Sequence, residues 1–261
     1  MTEWYLAAAF VTGVLASLGY GYVGVRLYAR PVSPASRLAV AQFSVWWLGL
    51  GATTALTAVE SLLAFAGVLT VPAALTFLLL VVLVDVALLW GLVGFLIYVY
   101  TGRYHLVPLT AFYAVFYAAA LYYEVLAAPY AFAVQSGVLT FSTPTVSDPV
   151  LTGFVIVGLV VPELVGAVLY LSLLRRTRDR VQRYRIALVG SSLFLWFAIS
   201  ALVPSSTGPW VVAKNLLEVV PALLSLIAYF PPESIRRRLR WTEPVVETVG
   251  GTARSGAPPE G

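Results

Sequence analysis

Residues 150–203 read VLTGFVIVGLVVPELVGAVLYLSLLRRTRDRVQRYRIALVGSSLFLWFAISALV. An apolar run leads into RRTRDRVQRYR, from Arg175 to Arg185, and a second apolar run follows. A hydrocarbon core about 30 Å thick takes about 20 apolar residues per helical span, and cytoplasmic loops collect Lys and Arg. The stretch therefore reads as two membrane-crossing helices joined on the cytoplasmic side by a connection that holds six arginines against the single Asp179.

Outward from this pair, the same pattern repeats. Apolar stretches occur at about 5–28, 38–67, 72–100, 106–127, 150–174, 184–203 and 210–230, each bounded by Pro, Gly or charge. The connection between the first two carries Arg26, Arg30 and Arg37, that between the third and fourth carries Arg103, and the last stretch is followed by Arg236, Arg237, Arg238 and Arg240. With the six in 175–185, these make fourteen of the sixteen basic residues, whereas the intervening connections 68–71, 128–149 and 204–209 have none. The alternation predicts an all-α, integral membrane bundle of seven transmembrane helices with its N-terminus outside and its C-terminus in the cytoplasm.

Composition agrees. Of 261 residues, 60% are hydrophobic and 11% charged, so water is not the main solvent and there is no room for a large soluble domain. The formal charge of +4 sits in short connections, so membrane orientation explains it and no nucleic acid partner is expected. With no cysteine, disulfides, thiolate metal sites and cysteine nucleophiles are all excluded. The first apolar stretch is too long for a signal-peptide core and runs into Arg26 and Arg30 without a cleavage signal, so it is expected to remain as a helix. Residues 1–241 form the expected transmembrane domain. Residues 242–261, rich in Gly, Pro and Thr, are expected to be a disordered cytoplasmic tail. Interval 128–148 mixes Ser, Thr and Pro with alternating apolar residues, which predicts a hairpin or re-entrant loop.

An ionisable group in hydrocarbon costs roughly 2.5–3.5 kcal/mol on insertion scales, so each one is a candidate for function. Glu60 lies late in the second span, Asp85 in the middle of the third, Glu124 late in the fourth and Glu163 in the middle of the fifth; Lys214 and Glu218 lie early in the seventh. Given the alternating directions, this set gathers in the outer half and predicts a ligand-binding pocket of Asp85, Glu163, Lys214, Glu218, Glu60 and Glu124, with Trp196 as a wall. Lys214 and Glu218, four apart on one helix face, also read as a mutually neutralising structural pair. Glu60 and Glu124 also read as solvated interfacial carboxylates. Pro162 beside Glu163 and Pro221 after Glu218 predict kinks. Gly13, Gly19, Gly21, Gly24, Gly49 and Gly51 offer small faces for close packing.

Arg175, Arg176, Arg178, Arg180, Arg183 and Arg185 are expected to meet anionic lipid headgroups, with a cytoplasmic signalling partner as the alternative. His105 is the only histidine, so no His-rich metal site is expected. No HExxH, GxSxG, phosphate-loop or dinucleotide fingerprint occurs, and the expectation is of a non-enzyme.

Leu217, Glu218, Val219, Val220, Pro221 and Ala222, together with the seven-span layout, resemble microbial opsins. In that family an acidic residue precedes the retinal-binding lysine by four positions; here that slot holds Ala222. The sequence LVDVALLW around Asp85 lacks the family's third-helix signature, and the proline expected after the sixth-helix tryptophan is absent after Trp196. The resemblance thus implies an opsin-like bundle that does not bind retinal covalently, and no cofactor is expected. Three functions remain open: a receptor-like sensor with an outer polar pocket and a basic inner face, a proton- or solute-coupled transporter or channel that uses the carboxylates as a relay, and, least favoured, a retinal photoreceptor through Lys214.

Overall fold

Capping and apolar content together account for the helix Val71–Thr101. Thr70, in extended backbone, accepts a hydrogen bond from the Ala73 N–H at 3.4 Å. Pro72 occupies the first turn, where its missing N–H costs nothing. Gly102, at φ 66°, ends the helix in the left-handed conformation that glycine adopts without strain, and its N–H donates to the Tyr98 carbonyl at 2.8 Å.

The structure, a computed structural model, describes residues 4–30, 32, 34–122, 131–135, 138–142, 161–202 and 207–240. It is mostly helical. The helices are α1 (Trp4–Tyr28), α2 (Pro34–Phe65), α3 (Val71–Thr101), α4 (Leu106–Leu121), α5 (Val161–Ser172), α6 (Arg180–Leu202), α7 (Gly208–Leu217), α8 (Val219–Tyr229) and α9 (Glu233–Leu239). A 3-10 turn, Leu173–Arg175, ends α5. Strands β1 (Ala131–Gln135) and β2 (Val138–Ser142) pair antiparallel, with Ala131 opposite Ser142 and Gln135 opposite Val138, so the interval expected to be a hairpin contains one.

Four helical segments are long and apolar enough to cross a membrane: α1, α2, α3, and Gly208–Tyr229, which joins α7 to α8. Apolar helices of this length are compatible with a membrane location. The described parts of the fourth and fifth apolar stretches are shorter helices, and the expected tail at 242–261 lies outside the described residues.

Contacts run from α3 to α2, to α1, to the α7–α8 segment, to α6, to α5 and back to α3, with α4 packed against α3. Small residues set the closest approaches. A Cβ on Gly51 would lie 3.1 Å from the Ser17 carbonyl oxygen, and Ser17 Oγ donates to the Gly51 carbonyl at 2.8 Å, locking α1 to α2. Of the other predicted small-face glycines, Gly13, Gly24 and Gly49 also meet a neighbouring helix, Gly21 lies with its backbone against Gly51, and a Cβ on Gly19 would meet nothing within 4 Å.

The core is aromatic. Tyr20, Phe43, Trp46, Trp47, Leu89 and Leu92 are buried, Phe43 stacks on Phe95 at 4.5 Å, and Tyr20 stacks on Trp47 at 5.8 Å. Burying such rings contributes roughly 1.5–3 kcal/mol each against exposure to water. The exterior departs from that of a water-soluble bundle, with Leu18, Val107 and Val115 65%, 81% and 70% exposed, and Gln42, Ser44, Glu60, Ser192, Glu218 and Ser225 are buried among the apolar core. Lipid tails satisfy an apolar exterior, so the polar groups need to be met from within.

Candidate functional site

In the last apolar stretch the helical hydrogen bonding lapses at one residue, Glu218, whose backbone stays right-handed at φ −66° and ψ −15°. Pro221 has no N–H to give the Leu217 carbonyl, and α7 gives way to α8 at Glu218. Glu218 is 8% exposed, its N–H donates to the Lys214 carbonyl at 2.9 Å, and its own carbonyl accepts from the Tyr20 hydroxyl of α1 at 2.7 Å. Its carboxylate lies 3.9 Å from Lys214 Nζ, the i,i+4 pair expected from the spacing. That separation is long for an ion pair, which leaves the carboxylate loosely held.

α7 and α8 both pack on α1, and side-chain hydrogen bonds add a different tie to each. Asn215 Nδ2 on α7 donates to Thr12 Oγ1 at 3.1 Å and the Ala9 carbonyl at 3.3 Å, both on α1. On α8, Ser225 Oγ donates to Ser192 Oγ at 3.0 Å, and Ser192 Oγ donates to the Pro221 carbonyl at 2.7 Å, which ties α8 to α6. Trp196 of α6 meets Trp46 edge-on at 5.3 Å; Trp46 meets Trp47 at 6.4 Å, and Trp47 stacks on Tyr20. An aromatic chain therefore joins Trp196 to the tyrosine that holds the Glu218 carbonyl, and Lys214, Glu218 and Trp196 fall in one neighbourhood.

Asp85 and Glu60 belong to a second locus. Half-buried Asp85 on α3 accepts from Thr53 Oγ1 on α2 at 2.8 Å. Glu60 lies two turns further along α2 from Thr53, is 4% exposed, and its Oε1 has no hydrogen-bond partner among the described residues. Glu124 lies outside the described residues; Glu163 is in the first turn of α5, its side chain outside them.

Neutral polar residues that the charge pattern does not pick out complete the interior. Gln42, 1% exposed, packs against Gly94 of α3, and its side-chain amide finds no hydrogen-bond partner among the described residues. The Trp46 and Trp47 indole nitrogens are likewise buried without an acceptor. Tyr20 and Thr53 are also missing from the sequence-derived set. The available signal for all of them is an uncharged polar side chain in mid-span.

On the basic side, Arg175, Arg176, Arg178, Arg180 and Arg183 are exposed and Arg185 is half-buried. Arg26 lies over the Phe230 ring at 4.7 Å and Arg30 over the Tyr229 ring at 5.4 Å, so α1 and the end of α8 meet at the same end of the bundle. In α9, Glu233 pairs with Arg237 at 3.1 Å on an exposed face, a contact of little energetic weight. Among the described residues no group of His, Cys, Asp and Glu has the composition to hold a metal ion. No known protein family matches the chain and no curated protein matches it, so the opsin-like resemblance at 217–222 rests on those residues and the span pattern alone.

Proposed function

We propose that the chain is a receptor-like, multi-pass protein of the cell membrane, with seven spans, an outside N-terminus, and a polar pocket in the outer half that senses a small ligand or protons. The observation that carries this reading is the buried carboxylate of Glu218, 3.9 Å from Lys214, at the residue where α7 gives way to α8. A change of charge there alters what the joint must accommodate. Because α8 is bonded to α6 through Ser225 and Ser192, and α6 begins at Arg180, the joint is mechanically connected to the basic face. That face then reports to anionic lipid or to a cytoplasmic signalling partner. Two arrangements of one element biased from two places are what such coupling requires.

Intrinsic tryptophan fluorescence of the full chain in lipid nanodiscs tests the proton form of this reading, since Trp196 and Trp46 border the joint. A pH-dependent change that disappears in Glu218→Gln, with the helical content unchanged, is the expected result. The same change persisting in Glu218→Gln overturns it.

The transporter reading draws on the other locus. Asp85 bonds Thr53 across the α2–α3 contact, and a second acid, Glu60, is buried two turns further along α2. Proton or solute flux in liposomes that Asp85→Asn abolishes would put this reading first.

A further inference from the structure

At the end of α3 the packing is incomplete. A cavity of about 330 Å³ opens between α3, α4 and α5, walled by Leu96, Ile97, Phe112, Val165 and Leu169, with Tyr100 at one end. Its lining is almost wholly apolar. The Tyr100 hydroxyl is already engaged with the Leu169 carbonyl and with Ser172 Oγ, so the interior offers a guest little beyond dispersion and shape.

The polar groups stand at the rim instead. Thr101, which also lines the cavity, exchanges hydrogen bonds with the Arg103 backbone at 3.1 and 3.2 Å. Ser172, bonded to Tyr100, leads into the turn Leu173–Arg175 and then Arg176. Three exposed arginines, 103, 175 and 176, therefore follow directly from the two helix ends that form the rim, and no acid occurs in 101–106 or 172–178.

An apolar slot with a cationic rim matches an amphiphile with one slender tail and a negative head. The volume is at the small end of ligand pockets, which run from about 300 to 1,000 Å³. A second helix, about 10–12 Å across, is too wide to enter. We propose that this crevice seats an acyl chain of an anionic phospholipid whose headgroup is held by Arg103, Arg175 and Arg176. The inference rests on reading the basic side as a membrane surface, and it names the lipid contact of that side as one site with a tail slot.

Native mass spectrometry of the purified full-length chain, with phosphatidylglycerol or phosphatidylcholine of the same acyl composition added, tests it. The wild type should retain phosphatidylglycerol in preference. Val165→Trp, which fills the slot from a position exposed on α5, should lower retention of both lipids, and the milder Val165→Phe should act in the same direction if the tryptophan variant is unstable. Arg103→Gln, Arg175→Gln and Arg176→Gln should each cost about fivefold in phosphatidylglycerol retention and leave phosphatidylcholine unchanged. Equal retention of the two lipids by the wild type would overturn the proposal. So would an equal loss from Arg180→Gln with Arg183→Gln, which would assign the headgroup to the basic face at large. A dimer that Val165→Trp abolishes, with no lipid retained, would assign the slot to a second copy. Lipid retention does not depend on Glu218, so failure of the sensing reading leaves this result standing, and the converse also holds.

Discussion

Removing one oxygen atom should show how firmly the joint in the last span is held. Tyr20→Phe keeps the ring that stacks on Trp47 at 5.8 Å and deletes only the hydroxyl that donates to the Glu218 carbonyl at 2.7 Å. A buried hydrogen bond contributes about 0.5–1.5 kcal/mol net, and bonds between membrane helices average about 0.6 kcal/mol with a maximum near 1.7. The expected loss is therefore about 1 kcal/mol. Tyr20→Leu also forfeits the aromatic pair, a further 0.5–1.5 kcal/mol or so, and should cost more. Equilibrium unfolding in mixed micelles measures both losses, and hydrogen exchange across 216–222 locates the first, which should appear as faster exchange around the joint and not along α3. Tyr20→Phe with wild-type stability and unchanged exchange at 216–222 would refute the claim that α1 braces the break. A loss confined to α3 would refute it equally.

Thr53→Val removes the donor to Asp85 and should destabilise by about 1–3 kcal/mol, the cost of leaving a buried acceptor unsatisfied, while Asp85→Asn should cost less because the amide oxygen can still accept from Thr53; unfolding in micelles compares the two. Gly51→Ala forces a methyl group against the Ser17 carbonyl and Gly21 nitrogen, backbone atoms that have little room to give, and should cost roughly 1–3 kcal/mol in the same assay. Ser192→Ala and Ser225→Ala should be non-additive, since the two hydroxyls form one chain to the Pro221 carbonyl; additive losses in a double-mutant cycle would show that they act separately. Because the chain has no cysteine, single Cys residues introduced in 128–148 and in 175–185 can be labelled without background, and the span reading requires labelling from opposite sides of the membrane. All-trans-retinal should give no visible band that depends on Lys214, checked against Lys214→Ala.

What was legible in the chain follows from what one-dimensional patterns encode. Apolar runs and arginine clusters are local, so α1, α2 and α3 and the charged ends of the bundle could be read from composition and spacing. Pro221 marks where a backbone hydrogen bond is lost, and the regular helical bonding lapses nearby, at Glu218. The i,i+4 spacing of Lys214 and Glu218 also carried through to a contact. Partners distant in sequence did not show. Tyr20 meets Glu218 across 198 positions, and Thr53 meets Asp85 across 32, and in each case the partner is an uncharged residue that looks like any other hydroxyl in an apolar run. The angular position of a helix around the bundle is not encoded in such a pattern, and it is what brings Asp85 to Thr53 of α2 and the Glu218 carbonyl to Tyr20 of α1.

The divided attachment of the last span has a mechanical meaning. α7 is tied to α1 by Asn215, whereas α8 is tied to α6 by two serines and also packs on α1, where Arg26 covers Phe230. On the proposed reading, the backbone bond that Pro221 cannot make leaves Glu218 as the point where the segment bends most easily, between a part held mainly by α1 and a part held by both α1 and α6.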